Sequence, residues 1–333
     1  MNAVNTQCRL AARPVDMAKA SDWSIVDEPK PAAAEGEFVV QVDYLSIDPA
    51  MRTWMNAGRS YVPPVEIGEV MRAVGVGHVV ESSHPGFSVG DDVSGVFGVQ
   101  RYALSRGAEV NKLDTTLAPA TTYLGALGIS GLTAYFGLLE VGRPEPGQTV
   151  LVSGAAGSVG SIVGQIARIK GCRAVGIAGG EDKCRWLVDE VGFDAAIDYK
   201  AADLRKELKT HAPDGVDVYF DNVGGATLEA ALNRLAHGAR IVLCGAVSQY
   251  NDAPRGPANY MQLLVARASM TGFVIFDYAE RYPEGVAQLA KWLDSGELRS
   301  HEQIEHGDVG DFPETLLKLF RGENTGKLIL AVE

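Results

Sequence analysis

The chain has 333 residues, 46% of them hydrophobic and 22% charged, a composition that excludes a disordered protein and is long enough for two domains with separate cores. A formal net charge of −12 opposes long-range attraction to nucleic acid or to an anionic membrane, so an anionic cofactor would need a local basic pocket. The four cysteines, Cys8, Cys172, Cys184 and Cys244, form no CxxC pair and stand on segments that read as buried; with no apolar leader at the N-terminus, we expect a reduced, cytoplasmic compartment.

The first third is built from short strands and turns. In EFVVQVDYLSID, Phe38, Val40, Val42 and Tyr44 alternate with Gln41 and Asp43, the period-two pattern of a half-buried strand. GVGHVVESS and GFSVGDDVSGVFG continue in this style, with glycines closing each piece, and PAAAEG reads as a surface turn. A small, irregular β domain is expected.

From about Gly147 strand and helix alternate. TVLVSG is a β-branched run, after which Val159, Ile162, Val163 and Ile166 share one helical face that ends at Gly171. RAVGIAG is the next strand, followed by a helix around Lys183 to Val191, then AAID, a polar helix, VDVYFD, the helix ATLEAALNRLA and RIVLCG; MTGFVIFD is expected to be a sixth strand. Six strands separated by helices predict a doubly wound parallel sheet, because parallel neighbours need crossovers on the sheet faces. The uncharged run Val150 to Ala167 approaches the length of a membrane span, but its glycines and serines divide it into strand, turn and helix. GVAQLAKWLDSG and FPETLLKLFRG read as amphipathic helices, and GKLILAVE as a closing strand.

The first βα turn, VLVSGAAGSVG, places Ala155, Gly157 and Gly160 at the spacing of the dinucleotide fingerprint, with alanine where the first glycine is usual. The strand before it, the helix after it and the second strand about twenty residues on are the context that this motif requires; otherwise it is a plain tight turn. The second strand runs into Ala178-Gly179-Gly180 with no carboxylate at its tip, which favours NADPH over NADH, while Glu181 and Asp182 argue the other way. Lys183 stands where it could reach a 2′-phosphate, with Tyr199 and Lys200 closing that pocket; the alternative for Lys183 is a solvated lysine at a helix start.

GAAGSVGSIVGQIARIKGC, the EDK segment, YFDNVGG, LCGAVSQYN, ENTGK and the early LSIDPAMR together resemble the zinc-independent medium-chain dehydrogenase/reductases, in particular the prostaglandin and leukotriene reductases, alkenal double-bond reductases and bacterial curcumin reductases. The resemblance covers essentially the whole chain. It implies an α/β protein: a Rossmann NADPH-binding domain over residues 123–299 and a chaperonin-10-like substrate domain over residues 1–122 and 300–333. It also implies that Ala156, Gly157, Ser158 and Val159 hold the pyrophosphate and that Lys183 and Tyr199 hold the 2′-phosphate. Asn222, the segment with Cys244, Gly245, Ala246, Ser248 and Tyr250, then Phe273, Val274, Ile275 and Asn324 would line the ribose and nicotinamide. For Phe273 and Val274 core packing is the alternative role, and both can hold at once. Relatives pair as homodimers, for which MTGFVIFD could supply an edge strand.

Zinc-dependent relatives need a set of cysteine, histidine and carboxylate ligands. Here the six histidines are scattered, and Ile67-Gly68-Glu69-Val70 stands where a glycine-histidine-glutamate run is usual, so no metal is expected. Conjugate reduction suits such a site, because charge develops on an enolate oxygen that hydrogen bonds can stabilise. Tyr61 resembles a family tyrosine at the substrate mouth, and Tyr250 and Tyr260 flank QYNDAPRGPANY, a segment that could act as a lid; each could donate to the enolate or be a packing residue. Arg52 could orient Glu69 or a loop, or form a structural ion pair, and Met51, Trp54 and Met55 could be cleft wall or core. The expected partner is a small unsaturated carbonyl compound, with no nucleic acid and no membrane. The reading is an NADPH-dependent ene-reductase; the alternatives are a quinone reductase on the same scaffold and a non-catalytic NADPH-binding protein.

Overall fold

The computed structural model describes residues 3–333. The strands β1 (Val4–Leu10) and β2 (Trp23–Pro29) pair antiparallel, and β3 (Phe38–Ser46), the short helix α1 (Ala50–Trp54), β4 (Val74–Ser82), β5 (Asp92–Val96), β6 (Tyr102–Ser105) and β7 (Asn111–Lys112) follow. Next come α2 (Ile129–Phe136), β8 (Thr149–Ser153), α3 (Ser158–Ile169), β9 (Arg173–Ala178), α4 (Glu181–Trp186), β10 (Ala195–Asp198), α5 (Leu204–His211), β11 (Val216–Asp221) and α6 (Gly225–Leu232). The remainder is β12 (Leu235–Leu243), α7 (Gln262–Ala266), β13 (Ser269–Gly272), α8 (Tyr282–Asp294), β14 (Glu302–Gly307), α9 (Phe312–Arg321) and β15 (Lys327–Val332). The chain divides into two compact units, Met1–Leu124 with Glu302–Glu333, and Gly125–His301.

The first unit is a mainly antiparallel sheet in the order β14-β15-β3-β4-β5-β7, with β6 also on β3; only β14 and β15 run parallel. β3 is not the half-buried strand that its alternation predicts. Phe38, Val39 and Val40 are all fully buried, and because successive side chains point to opposite faces, both faces of β3 are covered. Met51 and Met55 are core residues, buried with Leu45, Ile47, Phe312, Leu316, Leu328 and Leu330, while Trp54 is half-buried against that core.

The second unit holds six parallel strands in the order β10-β9-β8-β11-β12-β13. In chain order this is 3-2-1-4-5-6, the doubly wound arrangement, and the order reverses between β8 and β11, where ligands of such sheets bind beyond the carboxyl ends of the strands. Leu208 of α5 and Leu228 and Leu232 of α6 pack in one cluster with Leu151, Tyr219 and Ile241 of the sheet. MTGFVIFD is a strand only as far as Gly272; the chain then leaves the sheet and forms a 3-10 helix over Ile275–Arg281. The departure is stabilised by Phe273, packed edge-on against Phe220 at 6.3 Å between ring centres, and by the Tyr282 hydroxyl, which donates to the Ile275 carbonyl at 3.2 Å. Among the described residues no helix is long and apolar enough to cross a membrane.

Candidate functional site

The turn from β8 into α3 begins at Gly154, whose φ of 57° lies in the left-handed region. A Cβ on Gly160 would stand 2.3 Å from the Gly154 carbonyl oxygen, so this glycine lets the helix close against the turn. Ala155 in the first glycine's place is accommodated from the opposite side: its methyl lies over Gly176 of β9, where an added Cβ would come within 2.9 Å. The first hydrogen bond into α3 runs from the Ser161 N–H to the Gly157 carbonyl at 3.0 Å, which leaves the N–H groups of the first turn without helical partners. Beside them the Ser158 hydroxyl is buried and, among the described residues, has no partner. Unpaired amides at a helix N-terminus with an orphan hydroxyl fit a pyrophosphate. Ala156 is buried, and Gly157 and Val159 are half-buried at the same turn.

At the tip of β9, Gly179 is overlaid by its neighbours, since an added Cβ would come within 2.9 Å of both the Tyr199 ring and the Lys200 stem. Asp198 fixes this corner by accepting the N–H groups of Gly180 at 2.9 Å and of Lys200 at 3.0 Å. Lys183 is half-buried, and desolvation, reinforced by the Lys200 charge, holds its ammonium below the ordinary lysine range. Glu181 and Asp182 both pair with Arg185 and are strongly exposed, so neither occupies the place of the ribose-binding acid of NAD-dependent proteins. Two cations close together without that acid suit a 2′-phosphate.

The loops after β11 and β12 are tied to this turn and to each other. The Asn222 side chain donates to the Ser153 carbonyl at 2.7 Å, the Val247 N–H to the Asn222 carbonyl at 3.1 Å, and the Ser248 hydroxyl to the Val223 carbonyl at 2.6 Å. Cys244 and Gly245 both donate their N–H groups to the Asp221 carbonyl, at 2.9 and 3.0 Å. Burial, then the charge of Asp221, pushes the Cys244 thiol up to about 12, which keeps it protonated. The Tyr250 hydroxyl accepts the Ala246 N–H at 3.3 Å, so this phenol shapes the loop. Phe273 and Val274 are half-buried and Ile275 buried just beyond β13, with Phe273 in a packing role.

Tyr260 is 59% exposed at the end of the expected lid, and that segment has anchors on α6: the Ala258 N–H donates to the Glu229 carboxylate at 2.9 Å and the Asn259 side chain to the Glu229 carbonyl at 2.8 Å. In the first unit Tyr61 is 52% exposed and accepts a long hydrogen bond from the Trp54 indole at 3.4 Å, while the Asn324 side chain donates to the Gly326 carbonyl at 3.1 Å. Arg52 is buried and donates to the carbonyls of Pro14 and Asp16 and to the Asn56 side chain, so it holds the loop before Met17; desolvation lowers its pKa, opposed by Asp22 and Asp16. Lys327, 2% exposed, joins the ENTGK and LSIDPAMR motifs by donating to the Ile47 carbonyl at 3.1 Å and the Asp48 carboxylate at 2.6 Å. The structure thus brings the candidates of residues 154–160 and 222–250 together within one unit. Ser153, Asp198 and Asp221, which organise these loops, were not foreseen; their signal is a polar residue at the carboxyl end of an apolar strand.

A doubly wound sheet with a phosphate turn beside its switch point defines a dinucleotide-binding protein. A family model described as the N-terminal domain of oxidoreductase matches residues 6–113, and one described as zinc-binding dehydrogenase matches residues 158–292. The chain is 44% identical to a Bacillus subtilis (strain 168) protein designated an NADP-dependent oxidoreductase, YfmJ, over 100% of this chain and 99% of that one. It is 39% identical to the NADPH-dependent curcumin reductase of Escherichia coli (strain K12), over 98% and 97% of the two chains. The structure of CurA from Vibrio vulnificus in complex with NADPH, 41% identical, matches it with a TM-score of 0.93 over 98% of this chain and 99% of that one. The chain belongs to the medium-chain dehydrogenase/reductases, in the zinc-independent group of the curcumin, prostaglandin and alkenal reductases. Among the described residues no three of His, Cys, Asp and Glu are grouped to hold a metal ion.

Proposed function

We propose that the chain is an NADPH-dependent ene-reductase that acts on α,β-unsaturated ketones or aldehydes. The observation that carries this reading is the pair of cations, Lys183 and Lys200, at a strand tip that lacks the ribose-binding acid, in a chain that matches a curcumin reductase over 98% of its length. Bound NADPH would supply a hydride to the β-carbon of the conjugated double bond, leaving an enolate.

The residues of this chain bind and orient. Ala156, Gly157, Ser158 and Val159 hold the pyrophosphate; Lys183, Tyr199 and Lys200 hold the 2′-phosphate. Asn222, Cys244, Gly245, Ala246, Ser248, Phe273, Val274, Ile275 and Asn324 line the ribose and nicotinamide. Tyr61 and Tyr260, whose phenols are exposed, are the candidates that donate to the enolate oxygen or relay the α-proton, and Tyr250 supports the loop beneath the cofactor. Residues 1–122 and 300–333 would carry the substrate side and residues 123–299 the cofactor side. The edge strand β13 and the exposed Met261, Leu264 and Val265 beside it favour a homodimer paired along that edge. The four cysteines are free thiols, which suits a reduced, cytoplasmic setting.

The test is product analysis after incubation with NADPH and a simple enone. The saturated ketone with its carbonyl intact, formed at the same rate with and without a chelator, is expected. An allylic alcohol, or activity lost on chelation, would overturn the reading.

A further inference from the structure

Asp221, the last residue of β11, is fully buried, and no lysine, arginine or histidine pairs with it among the described residues. A carboxyl group taken out of water without a cation needs hydrogen-bond partners to compensate its burial. Four donors converge on its Oδ1: the Ser153 hydroxyl at 2.8 Å, the Tyr219 hydroxyl at 2.7 Å, and the N–H groups of Val223 and Gly224, both at 3.0 Å. Its Oδ2 is buried and has no partner among the described residues. Burial, then the Asp221 charge, holds the Tyr219 phenol well above its ordinary value, so that it remains a donor.

The same residue reaches three loops. Through Ser153, which also accepts the Asn222 N–H at 2.9 Å, it holds the end of β8 where the phosphate turn begins. Through Val223 and Gly224 it folds the DNVGG turn around its own first residue. Its main-chain carbonyl takes the N–H groups of Cys244 and Gly245 after β12. These loops flank the switch point of the sheet.

We propose that Asp221 is a positioning residue for the cofactor: its buried carboxyl group and main-chain carbonyl fix the loops after β8, β11 and β12 in the arrangement that binds NADPH. The inference rests on the NADPH reading above.

The experiment is calorimetric titration of the full chain with NADPH, paired with amide hydrogen exchange of the cofactor-free protein, for wild type, Asp221→Asn, Ser153→Ala and Asp217→Asn. Asp217 is a control from the other end of the same strand, where it accepts the Thr149 N–H at 2.8 Å. Asp221→Asn should weaken NADPH binding about tenfold or more, because it sets an amide donor with no acceptor in the place of the buried Oδ2 and disturbs the network. It should raise KM for NADPH more than it lowers kcat, and exchange should quicken in residues 222–224 and 244–246 while α8 keeps its protection. Ser153→Ala should move the same readouts less, and it carries the test if Asp221→Asn does not fold; Asp217→Asn should move neither. Wild-type affinity and wild-type exchange in the folded Asp221 variant, or in Ser153→Ala where it stands in, would overturn the proposal. Failure of the wild-type chain to bind NADPH would sink the cofactor reading instead, and loop exchange unchanged by the substitution would still refute the hub.

Discussion

At the residue scale the cofactor corner depends on a few side chains whose partners lie far away in sequence. Replacing Lys183 with Ala should weaken NADPH by about 1.5 to 3 kcal/mol, the value of one charge-assisted contact, while leaving NADH almost unchanged. Equal losses for the two cofactors in a binding titration would show that Lys183 does not read the 2′-phosphate. Tyr61→Phe or Tyr260→Phe should lower turnover by up to about a hundredfold, at the lower end of general-acid contributions, with cofactor binding retained. If steady-state rates of both variants match wild type, water or the cofactor ribose hydroxyl takes the role. The placement of Lys183 and Tyr199 just after the ends of β9 and β10 is legible in the sequence, because the strands that precede them are apolar runs. Ala155 is not, since its fit depends on Gly176 across the strand pair, and neither is the Ser153 to Asp221 bond, which joins residues 68 positions apart.

At the element scale apolar periodicity marks the inner parallel strands β8, β9 and β11 well, because they are buried on both faces and separated by amphipathic helices. It fails where an element's environment is not even. MTGFVIFD is largely apolar, yet only Ser269–Gly272 pairs with β12, since Phe273 turns onto the Phe220 ring and Ile275 is buried at the start of a 3-10 helix. β14, EQIEHG, escapes notice for the opposite reason: it is a charged edge strand, paired on one side only and without an apolar alternation. The segment Gln249–Tyr260, expected to act as a lid, is mostly exposed and is held to α6 through Glu229. Saturating NADP should slow hydrogen exchange in this segment if it closes over the cofactor. Identical exchange with and without NADP would remove the lid from the account.

At the scale of the whole molecule, the chain leaves its first unit at Leu124 and returns at Glu302 to complete it. β15 lies between β14 and β3, so the last residues of the chain are interior to the first sheet. Lys327 marks this return, its ammonium buried against Asp48 and the Ile47 carbonyl. Lys327→Met should lower stability by about 1 to 3 kcal/mol, because Asp48 and a buried carbonyl lose their charged donor. A denaturation midpoint equal to wild type would show that the methylenes, and not the charge, hold the strand. The two-unit plan is visible in the sequence as a change of rhythm near Gly147, whereas the pairing of β15 with β3 depends on contacts about 285 residues apart, which no local pattern encodes.

Hydride delivery to the β-carbon of a conjugated bond distinguishes this chemistry from carbonyl reduction. NADPH deuterated at its transferable position should be incubated with an enone in ordinary water, and the product read by NMR. A saturated ketone with deuterium on the β-carbon and hydrogen from solvent on the α-carbon is expected. Deuterium on the carbonyl carbon, or an unlabelled product, would contradict it.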